Sequence, residues 1–209
     1  MSEFGIDAAP ERPAGREEIG AALELPGPTR FVAWDLGGAD LTGLDLRGCE
    51  FVKCRAGRAN LGSADLTEAR FVGCDLNNTR WRGSRLSAAR FEDCKLTGAQ
   101  FQEVVSLGLS FSRCLLAHAF LRGISFRRCE LETIDLTGAD LADCDFRDAV
   151  LSACRLSEAN VTGARFEGAD LRGADLGALR LADATRFKGA VISKQQAAHL
   201  LGSLGLQVV

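Results

Sequence analysis

Read from Thr29, the chain places a large apolar residue at every fifth position. The series runs Phe31, Leu36, Leu41, Leu46, Phe51 and onward to Leu181 without insertion or deletion. Leu or Phe fills every position of that series except Ala56, Trp81, Ser106 and Val161. Two residues before each centre lies a second, smaller side chain, mostly Ala or Cys. A period of five fits neither the 3.6 of an α-helix nor the 2 of a strand. Each repeat must therefore turn the chain through a corner and return it to the same inward orientation. Gly at the second residue past the centre, as at Gly38, Gly43 and Gly48, marks a corner that needs φ > 0. Four corners close a 20-residue square coil. Phe31, Phe51, Phe71, Phe91 and Phe111 are then predicted to stack in one column, and Phe126, Phe146 and Phe166 in another. At a strand spacing of ~4.8 Å, the repeats predict nearly eight coils and a rod roughly 35–40 Å long. A solenoid of this kind is stable only when stacked, and its ends need caps.

The predicted divisions are residues 1–28, a tail or cap; 29–192, the all-β solenoid; and 193–209, a short helix with an apolar tail. "GREEIGAALEL" can form a short helix, and "PGP" at 26–28 breaks it. After Leu181 one extra residue shifts Phe187 and Ile192 a step late. Ser193 with Gln196 forms a capping-box pattern, and Gly205 is a helix stop. Ala197, Leu200, Leu201 and Leu204 share one helical face. With Leu206 and Val208 they predict either a cap on the last coil or, the reading favoured here, a dimer interface.

Composition adds little to this picture and removes several function classes. The eight cysteines all occupy the small inward position, so they read as buried thiols rather than disulfides or a zinc site. No apolar run approaches a membrane span, and the N-terminus lacks a signal-peptide core, which predicts a cytoplasmic protein. His118 and His199 have no nucleophile partner, and no phosphate-binding or metalloprotease motif is present. The expectation is a non-enzyme with no metal and no cofactor. No basic stripe interleaved with aromatics predicts direct nucleic-acid binding.

Net charge is −3, unevenly spread. Bases gather from Arg70 to Lys95. Glu130, Glu132, Asp135, Asp140, Asp143, Asp145 and Asp148 then crowd one stretch with only Arg147 among them. Such a block is a candidate surface for a protein with a positive saddle. It is equally what a fold needs if Asp before Leu supports each turn. Around Ser106 the pattern falters. Val105, Leu107, Leu115 and Phe120 are apolar at outward positions. Either the coil bulges over 104–110, or an apolar patch faces a partner.

The segments "ADLTE" (64–68), "ANLGS" (59–63), "ADLAD" (139–143) and "ADLRG" (169–173) resemble the pentapeptide-repeat family, across about three quarters of the chain. That resemblance implies a right-handed quadrilateral β-helix. "FEDCKL", "FRRCEL" and the ending "GAVISKQQAAHLLGSLGLQV" are similar to the fluoroquinolone- and albicidin-resistance branch. Its members are homodimers joined at their C-termini that act on DNA gyrase and topoisomerase IV as mimics of duplex DNA. The resemblance implies the same partners here. The chain departs from it in having no room for a long projecting loop and only a modest negative charge. The competing reading is a solenoid scaffold for an unrelated protein.

Overall fold

The computed structural model describes residues 9–24, 29–177, 185–203 and 205–207. The five-residue pattern becomes a four-sided parallel β-solenoid. One face carries seven strands in register: β1 (Arg30–Val32), β2 (Glu50–Val52), β3 (Arg70–Val72), β4 (Arg90–Glu92), β5 (Ser110–Ser112), β6 (Glu130–Glu132) and β7 (Val150–Ser152). Each pairs in parallel with the strand 20 residues on, as in Phe51 beside Phe71. The other three faces are held by single bridges at the same spacing, such as Asp35–Arg55, Asp40–Asn60 and Asp45–Asp65. Seven strands enclose six turns, fewer than the eight coils counted from the repeat. Among the described residues the strand face continues beyond β7 as the single bridges Val150–Asp170 and Asp170–Val191, and the second face as Arg155–Asp175.

The aromatic columns form as the spacing requires. Phe31, Phe51, Phe71, Phe91 and Phe111 stack with ring centroids 4.8–5.1 Å apart. Phe126, Phe146, Phe166 and Phe187 form the second column. Phe187 lies 4.7 Å above Phe166 although 21 residues separate them, so the extra residue is absorbed before the ring is placed. The columns occupy adjacent faces, and the handover falls between Phe111 and Phe126, whose rings are tilted at 56° and 6.2 Å apart. Ser106 is the residue one coil below Phe126. Its small side chain sits where the leucine column of the fourth face gives way to phenylalanine.

All 29 corner positions from Ala33 to Gly173 have φ between +51° and +86°, and only 12 of them are Gly. A residue with a Cβ costs roughly 1–2 kcal/mol in this conformation, so the ladder must overrule local preference 17 times. Side chains assist from the position before each centre. Asp35 accepts a hydrogen bond from the Gly37 N–H, and Asp65, Asp75, Asp135 and Asn160 do the same for the residue two further on. These are Asx turns, which satisfy a backbone donor at the corner.

Both ends are covered. Helix α1 (Arg16–Leu23) buries Ile19 and Ala22 in the core formed with the first coil. The Ala14 N–H donates to the Asp35 carbonyl, and the Arg16 guanidinium to that of Thr42. Helix α2 (Lys194–Ser203) opens with the expected capping box: Gln196 N–H to Ser193 Oγ at 3.1 Å, and Ser193 N–H to Gln196 Oε1 at 2.7 Å. Gln196 also donates from Nε2 to the Leu171 and Ala174 carbonyls at 2.7 and 2.8 Å. It thereby ties the helix to the last coil and gives the Ala174 carbonyl the donor that a further coil would have supplied, while the Leu171 carbonyl also accepts from the Ala174 N–H at 3.0 Å. Gly205, at φ +81°, ends the helix with its N–H on the Gly202 carbonyl.

Candidate functional site

The pleat sends the residue before each centre outward, so the surface is a set of columns read at i, i+20, i+40. This geometry rearranges the sequence-defined acidic block. Residues 130–148 fit within one coil, and the acids therefore encircle the rod. Glu130 and Glu132 lie on the strand face, Asp135 on the second face, Asp140 on the third and Asp145 on the fourth, while Asp143 and Asp148 occupy corners. No single face collects all seven.

Most of them are already partnered. Asp145 meets Arg147 at 2.7 Å and Arg165 at 3.1 Å. The Arg147 side chain, ahead of its backbone N–H and the charge of Arg165, holds the Asp145 carboxyl at about 2. Asp135 pairs with Arg155 at 3.4 Å, Asp140 and Asp143 with Arg122, and Asp148 with Arg127 and Arg128. Glu132 lies 3.9 Å from Arg113. Glu130 alone of the seven has no ion-pair partner among the described residues. Asp135, Asp140 and Asp145 also hold Asx turns, which is the structural duty that Asp before Leu was expected to carry. Around this coil the surface is a mosaic of mostly paired charges.

The four apolar residues are exposed, Leu107 by 83%, Val105 by 52%, Leu115 by 46% and Phe120 by 44%. They too form a belt. Val105 bridges Arg85 on the fourth face, Leu115 bridges Lys95 on the second, and Phe120 bridges Gln100 on the third. The repeat phase is kept through 104–110, yet the ladder is interrupted there. Val105 remains bonded to the coil below through the Ser84 carbonyl, but no bridge joins Val105 to Ser125. Only Ser112–Glu132 pairs between β5 and β6. The irregularity at Ser106 is visible in the sequence, but not that it opens the ladder on the fourth face and at the start of the adjoining strand face.

At the C-terminus, Ala197 and Leu200 are half-buried, and Leu200 packs against the core. Leu201 and Leu206 are exposed, as are Val191 and Ile192 nearby. Leu204 and Val208, also expected at a dimer interface, lie outside the described residues. A groove of about 400 Å³ lies between α2 and the last coil, lined by Asp175, Gln196, His199 and Leu200 among others.

All eight cysteines are free, and seven are buried. Burial pushes the Cys49 and Cys144 thiols up to about 12. Cys54, Cys74, Cys94 and Cys114 are buried one above another in a single column, closed to solvent and to reagent. Each column thiol also donates to a carbonyl, as Cys74 Sγ does to Phe51 O at 3.2 Å. Thiol alkylation of the native protein should therefore stay confined to half-buried Cys129, beside the interrupted ladder, with all eight reacting in denaturant. Rapid labelling of several thiols by intact-mass analysis would contradict this packing. Among the described residues no group of three or more His, Cys, Asp or Glu is arranged to hold a metal ion, and no helix is long and apolar enough to cross a membrane.

Comparison with known proteins agrees with the geometry. The pentapeptide repeat region signature matches residues 29–101 and 44–121, and the eight-copy pentapeptide repeats signature matches 110–148, 134–173 and 149–185. No curated protein matches the chain. Among solved structures, two trypsin-treated variants of QnrB1, a plasmid-mediated fluoroquinolone resistance protein, match at 26% identity. They cover 87% of this chain and 88% of theirs, with TM-scores of 0.73 and 0.72. Full-length QnrB1 matches at 24% identity over 85% and 88%, with a TM-score of 0.73. The repeat phase, the 20-residue register and these matches lead to one conclusion: the chain belongs to the pentapeptide-repeat family.

Proposed function

We propose that this protein binds a type II topoisomerase, DNA gyrase or topoisomerase IV, and alters its response to a poison such as a fluoroquinolone or an albicidin-like toxin. The observation that carries the reading is the match to QnrB1 along nearly the whole of both chains. In this reading the protein works in the cytoplasm as a homodimer joined through α2, where Leu201 and Leu206 offer exposed apolar surface. Two acidic rings at 130–148 then flank the dimer centre, and a positively charged saddle meets acid from whichever side it approaches. Because most of these acids already have partners, the attraction is weaker than that of an unpaired stripe. Binding should accordingly lose less affinity with added salt than a DNA duplex does.

The test is a gyrase supercoiling and cleavage assay with a quinolone or an albicidin-like inhibitor. Micromolar protein should shift the inhibitor dose response or itself slow supercoiling. Neither protection nor inhibition at that concentration overturns the proposal. The mosaic of paired charges and the exposed apolar belt at 105–120 favour a second reading, a scaffold for an unrelated protein. A stoichiometric partner other than a topoisomerase in a pull-down would select it.

A further inference from the structure

The second face of the solenoid carries a column whose members are bridged in sequence at a constant 20-residue spacing. Leu115 is at its centre. One coil below lies Lys95, and one coil above lies Asp135. Two coils below lies Asp75, and two above lies Arg155. Three coils below lies Arg55, and three above lies Asp175. At every step the charges on the two sides of Leu115 are opposite. A column with this antisymmetry is complementary to its own antiparallel copy, as a two-fold interface requires.

The neighbouring surface allows close approach. The next outward column on this face holds Gly57, Asn77, Thr97, Ala117, Thr137 and Ser157, with no charge and no bulky side chain. The same column on the fourth face includes Arg47, Leu107, Arg127, Arg147 and Glu167, and would hold a flat partner away. Asp75 and Lys95 are bridge neighbours, yet neither forms an ion pair among the described residues. Both charges remain available to a partner. Leu115 is 46% exposed in an otherwise polar column.

We propose that a second copy of this chain docks antiparallel on the second face, with Leu115 against Leu115 on the two-fold axis. Lys95 of each copy faces Asp135 of the other, and Asp75 faces Arg155. The strip of matched charges spans six coil steps, about 30 Å at ~4.8 Å per coil, and is one face wide. That is small for a stable complex, so the association is weak and held largely by charge. It is favoured at low ionic strength and lost as the Debye length contracts. This contact is separate from the C-terminal face invoked above and does not rest on the topoisomerase reading.

A residue on a two-fold meets its own copy, which gives a specific test. Leu115→Glu and Leu115→Lys each place like charges opposite one another. The substitutions suit a column that already holds acids and bases at its other levels, and an unchanged thermal midpoint and circular dichroism spectrum would establish that each variant is folded. In analytical ultracentrifugation of the full chain at low salt, the weight-average mass of the original protein should rise with concentration, and each variant alone should stay below it. An equimolar mixture of the two should recover the full mass, and high salt should bring the original protein down to the mass of the variants. If the C-terminal contact forms as well, the variants remain C-terminal dimers, while the original protein and the mixture exceed them in mass, because a mid-rod and a terminal two-fold together build open chains. The proposal is overturned if either variant associates like the original protein, or if the mixture stays at the mass of its components.

Discussion

Replacing Trp81 by Ala should lower stability by about 4 kcal/mol, in the middle of the range for a buried aromatic. Trp81 is fully buried at a position where all but three of the other repeats, those at Ala56, Ser106 and Val161, carry Leu or Phe. Its ring stacks on Phe101 at 5.4 Å and meets the edges of Phe71 and Phe91 at 5.6 and 5.5 Å. It thus joins the first aromatic column to the opposite wall of the coil. Its indole N–H donates to Thr79 Oγ1 at 2.8 Å, and the Thr79 hydroxyl donates to the Leu76 carbonyl at 2.7 Å. Deleting the ring leaves a cavity in a narrow core with little slack, and leaves Thr79 without its donor. The melting midpoint should fall by roughly 10 °C for a chain of this size. A shift of only a degree or two would mean that the column is not continuous at this level. Trp81→Phe, which keeps a ring, should cost much less.

The second large effect is expected at the N-terminal end. Ile19→Asp puts a carboxylate where a fully buried side chain packs in the core with Ala14 and Ala22. An unpaired buried charge costs several kcal/mol, more than a short helix gains by staying docked. Helix α1 should therefore detach while the central coils persist, and hydrogen exchange should rise in 30–48 before it rises elsewhere. Loss of the cap uncovers the first coil, whose free strand edge is a template for pairing with another chain. Concentration-dependent aggregation should follow, measurable by light scattering at unchanged circular dichroism. A soluble variant with protected first-coil amides would show that α1 is dispensable. Ile19→Val, which keeps the apolar contact, is the control.

The capping box that opens α2 was legible at the level of single residues. Ser193 and Gln196 make the reciprocal hydrogen bonds of a capping box because that motif is local, closed within three residues. The second task of Gln196, holding the Leu171 and Ala174 carbonyls, was not legible. It depends on where the last coil ends relative to the helix. The role of α1 was open for the same reason: nothing inside "REEIGAAL" says what Ile19 will touch. The Cys and Phe columns, by contrast, could be read directly, since their spacing of 20 is also their spacing in the stack.

The surface is where reading along the chain misleads. Glu130 to Asp148 look like a patch because they are close in sequence, and so do Val105 to Phe120. Each set occupies less than one turn of the solenoid, so winding the chain spreads it around the rod onto different faces. Residues that share a surface are those 20 apart, and the column centred on Leu115 becomes visible only when the register is known. By itself the sequence determined the repeat, the inward side chains, the turn residues and the capping box. Each of these follows from local periodicity and backbone chemistry. Only the tertiary structure decided which charges neutralise one another, where the ladder opens beside Ser106, and which outward residues face a partner together. Those properties depend on distances between coils, and the chain acquires them only when it is wound.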